Sequence, residues 1–192
     1  MTDQQIKAVV RACSAALALE KGSTLAFAPQ RTLSIVAVCQ FLVEASTPPK
    51  ADGSGGWGTS KLAQPPINNP FGIQYAQRLE DYGSFDEPSW EIEHGIRVDQ
   101  VETFQKFPDL ATAFAEHQRL LLMKAPVRAA LPGGWIAVCV ALGPPIDAEH
   151  CGYSTNPAYP KVLTSIGSEL GLDRRGWFEW YAAGADAATK PA

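Results

Sequence analysis

The fourteen residues TLSIVAVCQFLVEA, Thr32 to Ala45, constrain this chain more than any other stretch. They are apolar nearly all the way round a helix, and a helix without a polar face has to sit buried at the centre of its domain. The informative exceptions are Gln40 and Glu44, which lie four residues apart and so share one face. A carboxylate aligned with an amide on such a helix has two readings. Either both face a polar cavity, because burying a carboxylate without partners is costly, or Glu44 reaches solvent where the helix ends. The pattern leaves both open.

Around this segment the chain reads as mostly helical. Residues 3–20 carry apolar side chains at helical spacing and stop at Lys21-Gly22-Ser23. Residues 47–70, rich in Pro, Gly, Ser and Asn, form a long loop. Strand-like alternation begins at Pro88, and SWEIEHGIRVDQVETFQKF predicts a small hairpin turning at His94-Gly95. Asp109 is placed to cap LATAFAEHQRLLLM, an amphipathic helix whose Glu116, Arg119 and Lys124 are expected on its solvated face. GGWIAVCVAL is a short buried helix cut off by Gly143-Pro144-Pro145, and another helix restarts after Asn156-Pro157. The cluster WFEWY, Trp177 to Tyr181, is expected to pack back on the core, and the tail beyond it to fray. With 192 residues, one core is affordable. The expectation is a single α+β domain over 1–192, mostly α, with its core at about 31–172 and the 3–20 helix packed on it.

Several function classes fall away. GSGGWG, Gly53 to Gly58, fits the dinucleotide fingerprint G-x-G-x-x-G. That fingerprint needs a strand before it and a helix directly after it. Here a helix and Pro48-Pro49 come first, and Pro65-Pro66 prevent a useful helix afterwards. No Gly-Lys-Ser/Thr follows to make a P-loop, so no nucleotide, and no cofactor of any kind, is expected. A net charge of −4 argues against a general nucleic-acid binder. No apolar run reaches the ~18 residues that a membrane span requires. The start, MTDQQIKAVV, lacks the basic and apolar regions of a secretory signal. Cys13, Cys39, Cys139 and Cys151 show no metal-ligand spacing; buried free thiols are the first expectation, with Cys139–Cys151 the pair to form if any does. His94, His117 and His150 stand singly and are assigned to solvent or capping, so no metal site is expected.

The order of the remaining motifs is more specific. A buried helix ends in Gln40-x-x-x-Glu44, followed by Trp57-Gly58-x-Ser60, then Asn69-x-Phe71-Gly72-Ile73, then a Glu-bearing hairpin. Gly152-Tyr153-x-Thr155-x-Pro157-x-Tyr159 comes near the C-terminus. The whole, from about Leu33 to Leu172, resembles the glucosaminidase-type peptidoglycan hydrolases (glycoside hydrolase family 73), whose catalytic domain is lysozyme-like. In that family the helix-ending acid runs straight into Ser-x-Trp-Gly; here TPPKADGSG intervenes, about ten extra residues. SWEIEHG resembles the family's hairpin motif Thr-x-Glu-Tyr, which makes Glu91 the second carboxylate, with Glu93 its rival on the same strand face. Phe104, Lys106 and Phe107 stand where the family has Phe-Arg-x-Tyr, so Phe replaces Tyr. In the C-terminal motif Asn156 replaces Asp and Pro160 replaces Ala.

The resemblance implies a peptidoglycan hydrolase that cuts the β-1,4 bond between N-acetylglucosamine and N-acetylmuramic acid. Glu44, Glu91 and Tyr153 would be catalytic; Gln40, Trp57, Asn69, Phe71, Glu93 and Tyr159 would bind substrate. Glu44 would be the general acid, since desolvation raises a carboxyl pKa. Glu91 or Glu93 would then activate a water, or the substrate's own N-acetyl oxygen would attack with Tyr153 in support. The partner would be a peptidoglycan strand, and Trp57 would stack on a sugar face. Action would be on the cell wall, in the periplasm or outside the cell, after export by a route other than a secretory signal. A phage lysin or an injected antibacterial effector would fit, the latter implying an immunity protein. Two alternatives compete: a muramidase or lytic transglycosylase, although the Gly-Leu-Met-Gln segment of transglycosylases is missing, and a non-catalytic glycan-binding or scaffold protein of the same fold.

Overall fold

The computed structural model describes residues 3–19, 27–47, 59–93, 96–145 and 150–174. Among them are six α-helices and one two-stranded sheet. The helix predicted from the apolar run, α2 (Phe27–Glu44), is the axis of the domain. Leu33, Ile35, Val36, Ala37, Val38, Cys39, Phe41 and Leu42 are all buried on it, on every side of the helix. It begins earlier than the run itself, with Pro29 in the first turn, where a missing N–H leaves no intrahelical bond unmade.

Four helices enclose α2. The N-terminal helix α1 (Asp3–Leu19) packs on it and on α3 (Leu110–Met123), while α5 (Gly134–Ala141) and α6 (Tyr159–Glu169) cover other sides. A short α4 (Ala125–Ala130), not foreseen from the sequence, connects α3 towards α5. Asp109 caps α3 as expected, its Oδ1 accepting from the Thr112 N–H at 2.7 Å. Phe114 of α3 meets Phe41 of α2 with ring centroids 5.7 Å apart, and Phe71 joins them edge-on at 5.1 Å from Phe114. All four cysteines are free thiols: Cys13, Cys39 and Cys139 are buried and Cys151 is half-buried. Burial pushes the Cys13 and Cys139 thiols up to about 12, so they behave as small apolar side chains.

Where α5 meets α6, Trp135 lies close against Gly167. A Cβ added at Gly167 would sit 2.7 Å from Cη2 and Cζ3 of Trp135 and 3.1 Å from Cys39 Sγ. Gly167→Ala is therefore expected to destabilise the fold by about 1–3 kcal/mol, as overpacking does elsewhere, and a lowered urea midpoint would register it. An unchanged midpoint would mean that the α5–α6 contact is looser than this spacing requires.

The hairpin is longer than the sequence pattern indicated. Strand β1 (Ser84–Glu93) pairs antiparallel with β2 (Ile96–Gln105) from Ser84↔Gln105 to Glu93↔Ile96. It starts four residues before Pro88, which stands inside β1 opposite Val101. A two-stranded sheet has only edge strands, where proline is tolerated. The base of the hairpin is fixed to the body. Gln105 N–H donates to Ile73 O at 2.9 Å, and the buried Gln105 side chain donates to Gly83 O at 2.8 Å and Leu79 O at 3.0 Å.

The described residues on either side of the 48–58 segment lie close together. Ser60 N–H donates to Ala45 O at 2.8 Å, and the hydroxyls of Thr47 and Thr59 lie 2.6 Å apart. Thr47 and Thr59 thus meet near the end of α2, and Ser60 is held against Ala45. GSGGWG and the WFEWY cluster lie outside the described residues.

Candidate functional site

Glu44 is the last residue of α2, and each of its carboxyl oxygens meets a phenol. Tyr153 Oη donates to Oε2 at 3.0 Å, and Tyr159 Oη donates to Oε1 in a very short contact. Tyr159 opens α6, and Tyr153 follows Gly152, whose positive φ of 64° turns the chain back under Pro145. The two rings stack with centroids 5.8 Å apart. Behind them, Gln40 Nε2 donates to Tyr159 Oη at 3.1 Å, and His117 Nε2 lies 2.9 Å from Gln40 Oε1. The His117 ring is stacked on Phe71, 3.9 Å between centroids and 3° from parallel. Of the two readings left open by the helix pattern, the polar cavity is therefore the one the fold adopts.

The electrostatics follow from burial. Desolvation pushes the Glu44 carboxyl up to about 7, against the opposing pull of its hydrogen bonds to Tyr159 and Tyr153 and, least of all, of the nearby Gln40 amide. Burial, and then the adjoining Glu44 carboxylate, raise both phenols above their ordinary range, so they act as neutral donors. Burial pushes His117 down to about 3, which leaves the imidazole neutral at every ordinary pH.

Glu44, Tyr153 and Tyr159 open onto a groove of about 740 Å³, whose lining also includes Phe71, Ile73, Arg78, Glu116, His117 and Lys124. Two members of that lining depart from expectation. Glu116 is buried rather than solvated, because α3 turns it towards the 77–82 segment, where it pairs with Arg78. Arg119 holds it from the other side with a two-pronged contact at 2.8 and 2.9 Å. His117 is likewise buried in the site, not exposed or capping a helix.

Two residues expected to bind substrate lie behind the groove instead. Gln40 is fully buried and touches Tyr159 and His117. Asn69 is also fully buried: its Nδ2 donates to Ile73 O and Gln105 O, and its Oδ1 accepts from Ile73 N–H. Both are hydrogen-bonded to the frame of the site. Phe71 and Tyr159 do reach the groove lining. Trp57 lies outside the described residues. Glu91 stands in the outer half of β1, opposite Val98, and Glu93 opposite Ile96; the side chains of both lie outside the described residues. Among the described residues no group of three or more His, Cys, Asp or Glu could hold a metal ion. No helix among them is long and apolar enough to cross a membrane.

A helical body around one buried helix, a single hairpin beside the cleft and a helix-terminal glutamate within it define a lysozyme-like domain. Solved structures of similar fold include a peptidoglycan hydrolase from Sphingomonas sp. A1. The catalytic domain of the autolysin Auto from Listeria monocytogenes matches with a TM-score of 0.62 and 18% identity, over 90% of this chain and 88% of that one. The glycoside hydrolase domain of FlgJ from Salmonella typhimurium, in a C-terminally truncated form, matches with a TM-score of 0.51 and 18% identity, over 86% and 97%. An N-acetylmuramoyl-L-alanine amidase from Staphylococcus aureus matches with a TM-score of 0.58 and 19% identity, over 92% of this chain but 46% of that one. At such identities the likeness speaks for the fold. No family model and no curated protein sequence matches the chain.

Proposed function

We propose that this protein is a peptidoglycan hydrolase that cleaves the β-1,4 bond between N-acetylglucosamine and N-acetylmuramic acid, with Glu44 as general acid. The observation that carries the reading is Glu44 itself. It is a carboxyl at the end of a buried helix, open to a groove, held by two phenols and poised by desolvation to be protonated near pH 7. Protonating a glycosidic oxygen is the task that such a group performs in glycoside hydrolysis. The fold shared with a peptidoglycan hydrolase supports the choice of substrate class.

Tyr153 and Tyr159 fix the carboxyl plane and keep its proton turned towards the groove. Glu116 is the second carboxylate in the described lining, but its oxygens are engaged by two guanidinium groups, which makes it a poor base. The base assigned here is Glu91 of the hairpin, activating a water on the far side of the sugar. Digestion of purified peptidoglycan followed by mass spectrometry tests the bond. Fragments ending in reducing N-acetylglucosamine are expected. Reducing muramic acid or its 1,6-anhydro form would overturn the assignment in favour of the alternate bond, and tight glycan binding without turnover would reduce the protein to a binding module. In the same assay Glu91→Gln is expected to be inactive; full activity would hand the role to Glu93 or the attack to the substrate's acetamido oxygen.

A further inference from the structure

Behind the contact with Glu44 lies a polar layer that the general-acid role does not itself require. Gln40 is fully buried, its amide spans the gap between His117 and Tyr159, and His117 is almost fully buried against Phe71. An amide has a donor end and an acceptor end, and exchanging them changes what each neighbour must do. Two directions of the chain are self-consistent. In the first, His117 Nε2–H donates to Gln40 Oε1, Gln40 Nε2–H donates to Tyr159 Oη, and Tyr159 O–H donates to Glu44 Oε1. In the second, every bond is reversed: Glu44 gives its own proton to Tyr159, Tyr159 donates to Gln40 Oε1, and Gln40 donates to a His117 Nε2 that carries no hydrogen.

The two directions have opposite consequences for an acid. In the first, both phenols donate to Glu44, so neither accepts its proton along those two bonds, and the proton is left free to face the groove. In the second, the proton is bound inside the protein, where no substrate reaches it. The observed placement is the first, with Gln40 Nε2 at Tyr159 and Gln40 Oε1 at His117. We propose that His117 is a positioning residue. Stacked on Phe71 with Nε2–H aimed at Gln40, it sets the direction of the Gln40–Tyr159–Glu44 chain and thereby keeps the acid proton of Glu44 available to substrate. The use of that proton rests on the glycosidase reading; the direction of the chain does not.

His117→Phe keeps a ring on Phe71 and removes the N–H, which frees the Gln40 amide to turn and accept from Tyr159. Glu44 then loses a donor, so its carboxyl should titrate at higher pH than in the parent protein, as read by NMR of protein labelled with carbon-13 at the glutamate carboxyls. Glu44 titrates in contact with Tyr153 and Tyr159 and shares its groove with His117, Glu116, Arg78 and Lys124. The substitution changes only His117 among these, and that residue is neutral.

On purified peptidoglycan kcat should fall about tenfold or more, as expected when a general acid is misdirected, with KM changed by less than about threefold. His117→Gln, which retains an N–H for Gln40, should restore the parent titration and most of kcat. An unaltered Glu44 titration in folded His117→Phe would overturn the proposal. So would a His117→Gln protein with the raised titration and lowered kcat, and that variant decides alone if His117→Phe does not fold. A parent protein that releases no reducing ends while the titration still shifts in His117→Phe would sink the glycosidase reading and leave the directed chain standing.

Discussion

Glu44→Gln is expected to lower the release of reducing ends from purified peptidoglycan by about 10²–10⁴-fold in kcat, the usual worth of a general acid. The replacement has nearly the same shape and can still accept from a phenol, so the helical content should be unchanged. Activity of the parent protein should decline as pH rises through about 7, the point to which burial pushes this carboxyl, because only the protonated form can act as acid. Stability carries a second signature of the same group. The folded-state value lies above the 4.5 of an ordinary glutamate, so the folded protein binds the extra proton. The stability this contributes is fully present below about pH 4.5 and is lost as pH rises through about 7. The substituted protein has no such ionisation, so its stability relative to the parent should increase between pH 5 and pH 8. Urea midpoints at those two values measure it. Retained activity would sink the acid assignment, and a stability difference independent of pH would show that Glu44 is not desolvated.

The half of this candidate site around Glu44 was legible because it is centred on a patterned helix. Gln40 and Glu44 stand out only because every neighbour on α2 is apolar, and Tyr153 and Tyr159 came with the ordered motifs. The half on α3 was not legible, and the reason is physical. LATAFAEHQRLLLM is amphipathic, but its buried stripe at Ala113, Phe114 and Leu121 also takes in Glu116, His117 and Gln118. The charge of Glu116 is met by Arg78, which lies in a non-periodic segment 38 residues earlier in the chain. Nothing in local spacing announces a partner at that distance. The one available sign was positional: His117 falls four residues before Leu121 and three after Phe114, on the apolar face rather than opposite it. The early start of the hairpin was hidden similarly, since Asp86 and Glu87 read as loop while the pairing with Thr103 and Glu102 makes them strand.

Asn69→Ala is expected to cost about 2–5 kcal/mol of stability, the range for removing several buried hydrogen bonds at one position. The Asn69 amide holds a five-residue turn from both ends of its side chain, with Oδ1 accepting from Ile73 N–H at 2.9 Å and Nδ2 donating to Ile73 O at 2.8 Å. Nδ2 also reaches Gln105 O at 2.9 Å, which ties that turn to the base of the hairpin. Phe71 sits inside the turn and bears the His117 ring, so the placement of His117, and through it of Gln40, begins at Asn69. A role in binding substrate and a role in holding this frame predict different measurements. A substrate contact would lose activity in Asn69→Ala while leaving the urea midpoint in place. The frame role requires the midpoint to fall, with earlier amide exchange at Gln105 and Ile73 than in the helices. Asn69→Asp sharpens the contrast, because it keeps the acceptor for Ile73 N–H but replaces both donors with buried negative charge beside two carbonyl oxygens. It should be less stable than Asn69→Ala at pH 7, and should recover as acid protonates the new carboxyl.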